Sequence, residues 1–317
     1  MTNEKLPFEI HGNSDIIQNK NPICITFGNF DGVHLGHKYL IESMQSMLDN
    51  IPIVVVTFDP HSADFFTPHN PKLLLTNLEN KISLLLSYGV SAVIVQKFNQ
   101  EFASLTADNF CDTWLNSNFN INSVILGHDF CYGKNRQGNF LHMKDYGEKH
   151  GWNVLQINPF KNSITNLKPI SSTFIRDEIS LGHMENAEIL LGRPYLLSGI
   201  VAHGDQRGRA IGFPTANLKL DCNYALPKYG VYACYVEISP NELLPAVMNC
   251  GIRPSVGEGL KLQIEAHILN FNEDIYDKKI KFHLKKYLRG EKKFAHIDEL
   301  KQQISVDVDE AKKYFSP

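Results

Sequence analysis

His34 and His37 stand three residues apart, with Gly36 between them, where two hydrophobic patterns meet. Before them, Ile23 to Phe27 reads as a short buried strand, broken by Gly28 and Gly32. After them, Leu40, Ile41, Met44, Met47 and Leu48 recur at the spacing of one helical face. The pair therefore falls where a strand end becomes a helix N-terminus. Unpaired backbone N–H groups and the positive end of the helix dipole favour phosphate there. Gly36 lets the backbone come close to a ligand. Two imidazoles flanking a nucleotide could donate hydrogen bonds to its phosphate chain and offset charge building on a leaving pyrophosphate. Without further context, a His-x-x-His pair is more often two histidines in a surface turn. A metal site is a weaker rival, because no Glu lies between them.

Other stretches carry residue types with chemistry. Ile170 to Arg176 reads Ile-Ser-Ser-Thr-Phe-Ile-Arg. Its hydroxyls, Ser172 and Thr173 among them, can cap the following helix, and Arg176, one turn in, can fork onto phosphate. An ordinary cap with a solvated arginine would read the same way. Gly127 to Gly133, containing Asp129, continues into Lys134, Arg136 and Gly138. That suits a phosphate-contacting loop, although a plain surface loop would look much the same. Gly204, Gly208 and Gly212, at intervals of four, allow backbone N–H groups to approach an anion, but glycines are common in barrel turns. Asp59 and His61 end a second strand pattern and read evenly as turn residues or site residues. Glu265 is one carboxylate on a strand of alternating apolar residues.

The elements that must position these groups fall into two halves. In the first, Pro52 to Phe58, Ala92 to Val95, Ser123 to Leu126 and Trp152 to Ile157 read as further buried strands. Thr76 with Glu79 makes a capping box for a helix stopped at Gly89, and Thr106 can cap another. Strands alternating with helices imply a doubly wound parallel sheet, with ligands beyond the carboxyl ends of its strands. Leu181 to Leu190 reads as a short helix before the pattern changes. Tyr195 to Ala202, Val231 to Ile238, Leu262 to Leu269 and Lys279 to Leu284 show strand propensity between turn clusters, as in a small antiparallel barrel. Asp298 to Tyr314 closes the chain as an amphipathic helix with Leu300, Ile304, Val308, Ala311 and Phe315 on one stripe. The expected domains are 1–185 and 186–317.

Composition narrows the function classes. A net charge of −3 over 317 residues leaves no basic surplus for a nucleic-acid partner. No apolar run approaches the ~18 residues of a membrane span, and the first twenty residues lack the apolar core of a signal peptide. Six scattered cysteines without a CxxC pair read as thiols in a reducing cytoplasm. Oligomeric state is not legible.

Two longer signatures carry a resemblance. Gly28-Asn-Phe-Asp-Gly-Val-His-Leu-Gly-His37 resembles the nucleotide-binding signature of the HxGH nucleotidylyltransferases, and its longer form is similar to that of bacterial bifunctional riboflavin kinase/FAD synthetases. Thr57-Phe-Asp-Pro-His61 and Ile170–Arg176 resemble further elements of that family, and Gly212-Phe-Pro-Thr-Ala-Asn217 resembles its riboflavin kinase signature. The resemblance runs from about residue 23 to 315. It implies phosphorylation of riboflavin to FMN and adenylation of FMN to FAD, with ATP and Mg²⁺. It implies catalysis by His34, His37, Arg176 and Glu265, the last as base for the flavin hydroxyl. Gly28, Phe30, Gly36, Asp129, Ser172, Thr173, Gly204, Gly208 and Gly212 are expected on nucleotide or phosphate, Thr215 and Asn217 on Mg²⁺, and Asp59, His61 and Arg289 on flavin. Departures from the family pattern are Ser62, Cys131, Phe174, Asn270 and Asp277.

Overall fold

Ile23–Phe27 forms a strand with all five residues buried, at the centre of a six-stranded sheet in the computed structural model. The structure describes residues 8–203, 212–240, 242–255 and 259–316, the side chains of 253–255 and 259–261 excepted. The sheet's strands are β1 (Phe8–Gly12), β2 (Ile23–Phe27), β3 (Ile53–Asp59), β4 (Ala92–Lys97), β5 (Ile121–Gly127) and β6 (Asn153–Ile157). Their spatial order is β1-β4-β3-β2-β5-β6. Strands β2 to β6 are parallel, as expected from their Val- and Ile-rich runs. β1 adds an antiparallel edge through Phe8↔Gln96 to Gly12↔Ala92, and that strand was not expected. Helices cover both faces. One is Leu35–Met47, which buries Leu40, Ile41 and Met44.

Chain contacts divide the protein into two compact units, residues 1–72 with 78–170, and residues 73–77 with 171–317. The second unit is built on a closed barrel of β7 (Tyr195–Ala202), β8 (Ala216–Leu220), β9 (Gly230–Glu237), β10 (Leu243–Ser255), β11 (Gly259–Ile268) and β12 (Lys279–Arg289), in the order β10-β11-β8-β7-β12-β9. Every pairing is antiparallel. Two register shifts in β12, near Leu284 and Tyr287, bend that strand where it closes the barrel against β9. The helix Ile297–Phe315 lays Val308, Ala311, Ile304 and Phe315 on Val231, Ala233 and Val247. That is the stripe its sequence announced.

Two strands, β8 and β10, were not expected. The helix expected after Ile170-Ser-Ser-Thr is Ser172–Leu181, and the one read as Leu181 to Leu190 is Met184–Leu191, each stopped by a left-handed glycine, Gly182 and Gly192. The helix expected after Thr76 and Glu79 runs from Leu78 to Ser87, and Arg193 Nη2 lies 3.5 Å from the Thr76 hydroxyl. Thr106 caps, accepting the N–H of Asn109 at 3.1 Å. All six cysteines are free thiols, and burial pushes those of Cys24 and Cys111 up to about 11, so they stay protonated and inert at neutral pH.

Candidate functional site

In the first unit the strand order reverses between β2 and β5. From β2 the chain winds outward to β3 and β4, then returns to β5 and β6 on the other side. Ligands of such sheets bind beyond the carboxyl ends at this switch point, because the two flanking loops diverge there. The loop 28–34 leaves β2 at that place and ends in His34, whose extended backbone (φ −74°, ψ 173°) makes it the N-cap of the helix Leu35–Met47.

The two histidines are held as a unit. The backbone N–H of His34 donates to Nδ1 of His37 at 3.3 Å, which leaves Nε2 as the donor of a neutral His37 ring. Their rings stack with centroids 3.7 Å apart and 16° between planes. His34 is only 5% exposed. A Cβ at Gly36 would press on the His34 ring at 3.1 Å, so the glycine makes room for the imidazole. Phe30 is 2% exposed and packs its ring over Gly28 and against His37 at 5.0 Å, so it supports the histidine.

A polar ladder that sequence reading missed fixes this loop to the end of β3. Buried Lys81 reaches the Thr57 hydroxyl at 3.4 Å, and that hydroxyl donates to the Asn29 carbonyl at 3.1 Å. The Asn29 amide donates to Ser62 Oγ at 2.9 Å, while Asn29 Oδ1 accepts the Ser62 N–H at 3.0 Å. The departure at Ser62 thus supplies both halves of the bond. His61 accepts the N–H of Ala63 at 3.2 Å and caps the short helix Ser62–Phe66. Beside it and exposed Asp59, the rings of Phe58, Phe65, Phe66, Phe98 and Phe102 meet mostly edge to face, and Phe66 is 67% exposed.

Beyond β5, the Asp129 side chain is 84% exposed. The basic loop that follows has a pinned base. Tyr132 and Gly138 exchange two backbone hydrogen bonds at 3.0 and 2.9 Å. The Tyr132 hydroxyl, pushed far up by burial, lies 2.6 Å from His142 Nδ1, and His142 Nε2 lies 3.0 Å from Asp108. Lys134 and Arg136 are carried on a loop whose feet are fixed.

In the second unit, Ser171 is the cap of the helix Ser172–Leu181, accepting the N–H of Phe174 at 3.2 Å. Ser172 and Thr173 occupy its first turn, and Arg176 Nε donates to the carbonyl of Leu73 at 2.6 Å. In the barrel, β8 and β11 bring Asn217 directly opposite Glu265, and Thr215 Oγ1 lies 3.2 Å from Glu265 Oε2. A hydroxyl donating to that carboxylate keeps its lone pairs for another partner. Thr215 and Asn217 also line a cleft of about 430 Å³ with Val201, Pro214, Ile268 and Tyr276. Gly212 stands beside it at φ +90°, a left-handed position suited to glycine, while Gly204 and Gly208 lie outside the described residues. Asn270 and Asp277 take φ 54° and 61°, which explains why these sites ask for glycine or a short polar side chain.

The Nε and Nη2 of Arg289 fork onto Asp307 at 2.7 and 2.6 Å, and its Nη1 donates to Gly290 O. Asp307 is 3% exposed. Removing one partner of such a buried pair costs ~3–5 kcal/mol. Arg289 thus ties the C-terminal helix to β12. Among the described residues no group of three or more His, Cys, Asp or Glu is placed to hold a metal ion. Nor is any helix long and apolar enough to cross a membrane.

Comparison with known proteins also divides the chain in two. A family model for FAD synthetase matches residues 16–174, and one for riboflavin kinase matches residues 191–315. A bifunctional riboflavin kinase/FMN adenylyltransferase from Escherichia coli (strain K12) is 37% identical over 309 residues, 96% of this chain and 97% of its own. One from Bacillus subtilis (strain 168) is 38% identical over 298 residues, 92% of each chain. A crystal structure described as a macrolide-efflux protein from Streptococcus pneumoniae is 30% identical with a TM-score of 0.81, over 92% of this chain and 94% of that one.

Proposed function

The chain belongs to the bifunctional riboflavin kinase/FMN adenylyltransferase family, and we propose that it converts riboflavin to FMN and then FMN to FAD, using one ATP for each step. The observation that carries this reading is the presence of two separate sets of reactive groups, a stacked histidine pair at a helix start and a barrel-strand carboxylate that accepts from the Thr215 hydroxyl and is paired in register with Asn217. A flavin carrier or sensor would need neither set.

In the kinase step, the terminal ribityl hydroxyl of riboflavin attacks the γ-phosphorus of ATP. The bond to the β–γ bridging oxygen breaks, ADP leaves, and Glu265 takes the hydroxyl proton. Thr215 and Asn217 supply hard oxygens of the kind Mg²⁺ accepts. Bound there, Mg²⁺ would offset charge on the phosphates. The Thr215 hydroxyl, by donating to Glu265, orients the carboxylate.

In the adenylyl step, a phosphate oxygen of FMN attacks the α-phosphorus of a second ATP, and pyrophosphate leaves with the electrons of the broken bond. The nucleophile is already an anion, so the protein's work is positioning and charge stabilisation. His34 and His37 donate to phosphate oxygens, and Arg176 with Ser172 and Thr173 are assigned to the same reaction. Asp129, Gly28 and Gly36 shape the nucleotide loops. We assign the flavin ring to the aromatic surface beside Asp59 and His61. Six free thiols suit a cytoplasmic location.

Incubating the protein with riboflavin, ATP and Mg²⁺ and separating the flavins should show FMN first and FAD after it. Absence of either product removes that half of the reading. The proposed functional boundary near 185 adds an expected outcome for a fragment of residues 186–317: riboflavin is still phosphorylated and no FAD appears. A folded fragment that binds ATP but makes no FMN would refute the modular reading.

A further inference from the structure

The segment Leu73–Asn77 belongs, by its contacts, to the second unit, although it lies in sequence between β3 and β4. It is irregular, so its partners decide where it sits. The N–H of Leu74 donates to Asn223 O at 2.7 Å, and Leu74 O accepts from Ala225 N at 2.8 Å. Asn77 Nδ2 donates to Asp221 Oδ2 at 2.8 Å. The same carboxylate oxygen accepts from Ser198 Oγ of β7 at 2.8 Å and lies 3.7 Å from Lys279 Nζ of β12. Leu75, 2% exposed, buries the middle of the segment. The segment is therefore a strap fastened to the barrel at both ends.

At the strap's first residue, the carbonyl of Leu73 receives Arg176 Nε at 2.6 Å. A guanidinium is planar and rigid, so a fixed N–H···O bond at Nε restrains where its remaining donors can reach. Leu73 is one peptide away from the backbone pairing at Leu74, and it moves when that pairing moves. We infer that Asn77 and Asp221 are positioning residues for adenylyl transfer, acting through the strap on Arg176. This rests on the assignment of Arg176 to that reaction. It also means that Asp221, inside the stretch matching riboflavin kinase, serves the other half-reaction.

Asn77→Ala in the full chain removes the strap's side of the bond to Asp221 and leaves Ser198 and Lys279 on that carboxylate. FAD formation from supplied FMN should fall about tenfold, since small misplacements of a charge-binding group cost that much or more. FMN formation from riboflavin should be unchanged. Asp221→Ala, followed by the same two assays, should reproduce the pattern. In an Arg176→Ala background, itself impaired in FAD synthesis, Asn77→Ala should add nothing. Wild-type FAD synthesis by both strap variants would overturn the inference while leaving the Arg176 assignment standing. Equal loss of both activities, or a further tenfold drop on top of Arg176→Ala, would overturn it too. An Arg176→Ala enzyme with wild-type FAD synthesis would end the assignment and the inference together.

Discussion

Glu265→Gln is expected to phosphorylate riboflavin ~10²–10⁴ times more slowly than the wild type, the range by which a positioned general base accelerates proton transfer. The amide keeps the size of the side chain and an oxygen able to accept from the Thr215 hydroxyl, so the 3.2 Å contact and the ladder pairing with Asn217 have no reason to break. What disappears is the group that takes the ribityl proton. Affinity for riboflavin and ATP should change little, so the loss should appear in kcat. FAD formation from supplied FMN should be untouched, because its reacting groups lie in other elements. The competing idea is an ordinary strand carboxylate, whose replacement shifts stability within about 0.5 kcal/mol and leaves rates alone. Measuring both half-reactions on one preparation separates them, and wild-type kinase turnover in the mutant would remove the proposed base.

The complementary experiment removes both imidazoles. His34→Ala with His37→Ala should abolish FAD synthesis from FMN while riboflavin kinase activity persists. Losing one preorganised donor typically costs ~10²–10³ in rate, and here two are lost at the same place. His34 is buried and its backbone starts a helix, so the double mutant's thermal midpoint should be compared with that of the wild type. His37→Gln offers a milder variant: its amide can still accept from the His34 N–H, and it should retain more FAD synthesis than His37→Ala. A folded double mutant with near-normal FAD synthesis contradicts the assignment.

The sheet was legible because a strand buried on both faces reads as a near-continuous β-branched and apolar run, and Ile23–Phe27 and Ile53–Phe58 are such runs, each with a single threonine. β1 was not, since Phe-Glu-Ile-His-Gly on a sheet edge has only Phe8 fully buried and no clear period. β10 contains Pro245, Gly251 and Pro254, which read locally as turns; pairing with β9 and β11 on either side overrides them. β8 begins at the end of the Pro-Thr-Ala-Asn signature and is only five residues long, with Asn217 and Lys219 interrupting its apolar residues. Among the site residues, those on motifs could be named in advance, whereas their supports could not. The pairing of Arg289 with Asp307 was hidden because Asp307 lies eighteen residues away on a helix. The ladder Lys81–Thr57–Asn29–Ser62 joins three elements distant in sequence, and no spacing announces it.

The strap also sets an order of events during synthesis. Residues 73–77 leave the ribosome long before Asp221, Asn223 and Ala225, to which they are bonded in the finished protein. At about 5–20 residues per second, the ~150 residues between them take roughly 7–30 seconds to make. The parallel strands of the first sheet, complete at Ile157, are all available earlier. A nascent chain can therefore build its first sheet around an excursion that still has no anchor, and the Leu73 carbonyl can settle on Arg176 in its final place only after the segment following the barrel's second strand has emerged.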